Sequence, residues 1–116
     1  VSGGGGPLER LAHPDAAVRR IALRDLARTP GLAPVALDGV TAALERETDS
    51  EAAALGASLL GRERHSGSRR VLQAMIDRPE TPALAAHAAR IALDRIDIGL
   101  LRAAEPGAGA SGTMGS

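Results

Sequence analysis

At 116 residues the chain has the length of one domain, and its 14 basic and 14 acidic residues leave a formal net charge of zero. That balance argues against a general nucleic-acid binder, which carries a basic excess. The absence of cysteine excludes disulfides and thiolate chemistry, and no apolar run approaches the ~20 residues of a membrane span. Phe, Trp and Tyr are missing too, so base-stacking platforms and large rigid interface anchors are lacking. The 24 alanines and 15 leucines that dominate the apolar fraction favour closely spaced helices over sheet. Every basic residue is Arg, and Lys and Asn are absent, a bias that a GC-rich genome produces.

Residues 1–6 (VSGGGG) read as a flexible linker and residues 105–116 (EPGAGASGTMGS) as a disordered tail, leaving 7–104 as a helical repeat domain. The start shows neither a basic nor an apolar leader, so no signal peptide is expected and the chain is read as cytoplasmic. Its first residue is Val1 rather than Met, which points to a piece of something longer. The tail contains Gly107-x-Gly109-x-x-Gly112, a formal dinucleotide fingerprint without the strand and helix that would give it meaning.

Pro7–Ala12 (PLERLA) predicts a short helix with Leu8 and Leu11 on one face. His13-Pro14 breaks it, and Asp15 caps a helix to about Arg28 with Val18, Ile21, Ala22 and Leu26 inward and Leu23 at the edge. Thr29-Pro30-Gly31 ends that helix. The next, about 33–47, sets Leu37, Val40 and Leu44 on one face. Thr48 and Glu51 have capping-box spacing for a helix ending near Arg64. His65–Ser68 breaks it, and about 68–78 follows with Val71, Leu72, Met75 and Ile76. Thr81 and Pro82 open a helix to about Ile96, after which Asp97–Ala104 reads as a closing turn that packs Leu100 and Leu101. No apolar alternation marks a strand, so the fold class is all-α.

The second of these helices recurs. A shift of 34 places Asp15 on Asp49, Ala22 on Gly56, Leu26 on Leu60 and Arg28 on Arg62, and a further 33 reaches Ala89, Leu93 and Arg95. The small position is where a neighbouring helix comes close, and the Leu is the knob. Such a period, with two helices per unit, is the signature of an α-solenoid. The phrase Asp15-x-x-Val18-Arg19-x-x-Ala22-x-x-x-Leu26 resembles the second helix of a HEAT repeat, closest to the short bacterial kind of phycobilisome-lyase-like proteins. The resemblance covers about Pro7–Ile96. It implies about three two-helix repeats in a right-handed superhelix, with Asp15 and Arg19 bracing successive repeats. Ala53 and Ala86 replace that Arg further on.

On a wheel of about 100° per residue, the positions opposite the core are Arg20, Arg24 and Arg28, then Ala54, Ser58 and Arg62, then His87, Ile91 and Arg95. The resemblance implies that these second helices line the concave surface. The strip then carries five arginines and no carboxylate, and an acidic partner segment is the expected ligand, bound by Arg forks with Ala54 and Ile91 as apolar contacts. The competing structural reading of Arg28, Arg62 and Arg95 is that they offset helix dipoles. Asp25, out of place on the apolar arc, is expected to pair with Arg10. The three histidines, His13, His65 and His87, lie apart and without metal-ligand spacing, and Ser58 has no candidate base. Neither a catalytic constellation nor a cofactor is expected. The chain thus reads as a non-catalytic protein–protein interaction or docking module, an adaptor or scaffold, for a separate protein or a neighbouring domain. The uncapped repeat ends invite self-association. The resemblance also implies two alternatives: an accessory domain of a bilin-lyase-like enzyme, or a DNA-binding HEAT-like domain.

Overall fold

Prolines, glycines and aspartates interrupt the chain often enough to keep every helix short until the last. The computed structural model describes residues 6–104, in which six α-helices follow one another. They are α1 (Pro7–Arg10), α2 (Ala16–Ala27), α3 (Pro34–Arg46), α4 (Ser50–Arg62), α5 (Arg69–Asp77) and α6 (Ala83–Ala104), with one 3-10 turn at Ser66–Ser68. No strand occurs among the described residues, and no described helix is long and apolar enough to cross a membrane. The expected tail, with its glycine pattern, and all of the linker but Gly6 lie outside the described residues.

Local chemistry sets the boundaries. Asp15 accepts a hydrogen bond from the Ala17 N–H at 2.9 Å and caps α2. Asp49 does the same for α4 through the Ala52 N–H at 2.9 Å. The Thr48–Glu51 capping box is therefore not formed. A carboxylate one residue later reaches the free N–H groups and brings a charge that the helix dipole favours. The α4 helix ends in a Schellman turn: His65 N–H donates to Leu60 O at 3.1 Å and Arg64 N–H to Gly61 O at 3.0 Å, with Arg64 in the left-handed region at φ 52°. Nothing in Asp97–Ala104 is strong enough to stop α6. Gly99 alone costs about 1 kcal/mol, so the helix continues and leaves Leu100 and Leu101 exposed rather than packed.

The even helices lie side by side in chain order, α2 against α4 and α4 against α6. Each odd helix packs on its successor, and α1, α3 and α5 touch in turn. Placed centrally, α4 buries Ala52, Ala53, Ala54, Gly56, Ala57, Leu59, Leu60 and Gly61. Burial supports the repeat register, since Ala22, Gly56 and Ala89 are all inside, as are Leu26, Leu60 and Leu93. Two inward assignments on α2 fail: Val18 is only half-buried and lies outside the core, and Ile21 stands at the surface. Ile21 is 49% exposed while Leu23 is 5% exposed, so Leu23 and not Ile21 joins Ala22 and Leu26 in the core. Leu23 faces Gly56 of α4. The α4 and α6 backbones come close at Gly61, where a Cβ would stand 2.6 Å from the Ala92 Cα.

Candidate functional site

Arg19 and Arg20 leave α2 toward the loop that starts α4. Arg19 donates through Nε to Glu47 Oε1 at 2.9 Å and through Nη2 to Oε2 at 2.9 Å. Its Nη1 reaches the carbonyls of His13 at 2.7 Å and Pro14 at 3.0 Å. The Glu47 side chain is only 5% exposed, and it also accepts the N–H groups of Thr48 and Asp49. Arg19 therefore ties α2 to the segment that precedes α4. Arg20 donates to Asp49 Oδ1 at 2.9 Å. The hydrogen bond to Glu47 raises the Arg19 pKa further above neutrality, and that to Asp49 does so for Arg20. Asp49 is held below the usual carboxylate range, first by the Ala52 N–H and then by Arg20.

A second clamp closes the other end of the same helices. Arg62 donates to the carbonyls of Ala27 and Thr29, the latter at 3.1 Å, where α2 ends. Its neighbour Glu63 accepts the N–H groups of Gly31 at 3.3 Å and Leu32 at 3.2 Å. The two side chains also pair at 2.8 Å.

These contacts redraw the expected strip. Arg20 and Arg62 serve the fold, and Arg24 pairs with Glu51, so carboxylates lie along the strip after all. Asp49 and Glu51 come from the start of α4, which wheel positions taken one helix at a time do not show. Ala54, expected as an apolar contact, is buried because α4 has a helix on either side. Arg28 stands 81% exposed, 3.6 Å from Asp25. Asp25 also pairs with Arg10 at 3.7 Å, as its odd position on the wheel suggested. Ser58, His87, Ile91 and Arg95 are exposed, and Arg95 has no carboxylate within 4.0 Å among the described residues. His65 binds Asp38 at 2.9 Å and ties the α4–α5 turn to α3, while His13 accepts the Asp15 N–H. Among the described residues no three His, Asp or Glu side chains gather as metal ligands.

The open surface that remains follows α6. Leu84, Ile91 and Ile98 recur every seven residues and are 55%, 42% and 45% exposed. At about 100° per residue they lie within ~20° of one line, with Arg95 and Arg102 along one edge and His87 on the other. Leu84 and Ile98 are absent from the expected strip. Their spacing with Ile91 was the available signal, hidden by ending the helix at Ile96.

A cleft of about 310 Å³ also opens between the loops before α4 and α6. Its lining includes Glu47, Thr48, Ala53, Met75, Glu80 and Thr81. A scan against protein-family models finds none that matches the chain, and searches of curated proteins and of solved structures find no match either.

Proposed function

We propose that the chain is a non-catalytic docking module, a short α-solenoid of HEAT-like repeats that binds an amphipathic helix carrying acidic side chains along the outer face of α6. The solenoid reading is supported by the alternation of odd and even helices and by the repeated buried positions. The observation that carries the docking reading is the exposed line of Leu84, Ile91 and Ile98 on a 22-residue helix. An apolar stripe at this spacing is what a helix presents to a partner helix. Arg95 and Arg102 beside it select acidic flanks by charge complementarity. Of the expected binding residues, His87, Ile91 and Arg95 belong to this face. Arg28 and Ser58 are exposed on α2 and α4, and Arg20, Arg24 and Arg62 are engaged within the fold.

The test is fluorescence anisotropy with a labelled amphipathic helical peptide bearing Leu and Glu. Ile91→Asp with Ile98→Asp should abolish binding and leave the helical circular dichroism unchanged. Arg95→Glu should weaken binding and reduce its dependence on salt. Full affinity in the double variant would remove α6 as the docking face.

A further inference from the structure

The cleft between the second and third repeats has a counterpart between the first and second, a cleft of about 400 Å³ whose lining includes His13, Pro14, Arg19 and Glu47. There, Arg19 lies between the His13 and Pro14 carbonyls and the Glu47 carboxylate. One repeat further on, the shift of 34 places Ala53 where Arg19 was, and the His13 and Pro14 carbonyls become those of Glu47 and Thr48. The shift of 33 that relates α4 to α6 carries Glu47-Thr48-Asp49 onto Glu80-Thr81-Pro82. The acid is thus retained as Glu80, and the arginine that forms part of the wall in the first copy is replaced by alanine. Glu47, Thr48, Ala53, Glu80 and Thr81 all line it. Glu80 is exposed, with no cationic group within 4.0 Å among the described residues. The Arg78 side chain, also in the lining, turns its Nε toward the Ala74 carbonyl at 3.4 Å.

We infer that this cleft binds a guanidinium group on an aliphatic stem, that of an arginine side chain presented by a partner polypeptide. The first copy shows the chemistry: a planar fork with one side on a carboxylate and the other on two backbone carbonyls. The buried side chains of Leu44, Ala53, Met75 and Ala85 supply an apolar floor for the methylene stem. An ammonium ion cannot span carboxylate and carbonyls as a fork does. The inference rests on the repeat register and not on the α6 face, so Ile91→Asp with Ile98→Asp should leave it unchanged.

The experiment is a titration of the ¹⁵N-labelled protein with N-acetyl-arginine amide, followed by amide shifts. Expected are saturable shifts confined to residues 47–53 and 78–85, and an affinity lowered about tenfold in Glu80→Gln, as for loss of one charge-assisted contact of ~1.4 kcal/mol. N-acetyl-lysine amide should bind more weakly, and guanidinium chloride at equal concentration should shift the same amides less because it has no stem. Three results would overturn the assignment: no saturable shift at these residues, an equal response to the lysine amide or to guanidinium alone, or an unchanged affinity in Glu80→Gln. Glu80 is exposed, so the variant retains the fold on which the comparison depends.

Discussion

The junction of α2 with α4 and the junction of α4 with α6 join similar helices by different physics. In the first, polar side chains span the gap: Arg19 with Glu47, Arg20 with Asp49, Arg62 with two carbonyls at the end of α2. In the second, the same positions carry Ala53 and Ala54 on α4 and an exposed Arg95 on α6, and the helices close directly until Gly61 meets the Ala92 backbone. Alanine and glycine let backbones approach, and arginine bridges backbones that stay apart. The difference predicts which perturbation each junction resists.

The largest expected effect lies in the core that both junctions share. Leu60→Ala removes a side chain with no exposure and should cost ~2–5 kcal/mol in urea unfolding. Gly61→Ala attacks only the α4–α6 junction. The added Cβ strikes backbone rather than a flexible tip, so a loss of about 1–3 kcal/mol is expected. Gly56→Ala should cost less, because the nearest atom, 3.3 Å away, is a Leu44 methyl that can move. Equal losses from the two glycines would break the contrast. Arg19→Ala acts on the α2–α4 junction and leaves the Glu47 carboxylate without its cation, at a cost of ~1–2 kcal/mol. Its effect should shrink with added salt, which should not alter the cost of Gly61→Ala.

The smallest effect sharpens the comparison through pH. Asp49 has its folded pKa depressed, so its contribution is present above the unfolded value of ~3.9 and is lost as pH falls through the lower folded value. The thermal midpoint should therefore decline below about pH 4. Asp49→Asn keeps a good helix cap, changes stability by under ~1 kcal/mol at neutral pH, and should flatten part of that acid slope. An unchanged slope would mean that Arg20 and the Ala52 N–H do not hold the carboxylate.

Most of the helical order was legible because proline, glycine and aspartate mark helix ends locally. The recurrence of Ala22–Leu26 as Gly56–Leu60 also located the core in advance. What was not legible depended on neighbours. Ile21 and Leu23 are both apolar on one helix, and only the position of α4 decides which is buried. The arginines of the expected strip look unopposed along α2. Their acids, Asp49 and Glu51, come from a segment whose direction the wheel of α2 does not contain. Glu47 and Glu80 were overlooked because comparison stopped at the helices, although the two loops repeat Glu-Thr at the same offset.

The adjacent pair Arg62 and Glu63 has a consequence for alignment. One residue seeks carbonyls and the next seeks N–H groups, and the chain around the end of α2 offers both within a few residues. A slip of α4 by one position would take both charges from their partners and bring one of them to groups of its own polarity. The dyad therefore works as a key, accepting one longitudinal setting of the helix pair and rejecting its neighbours, a discrimination that an alanine-rich surface of near-uniform ridges supplies poorly.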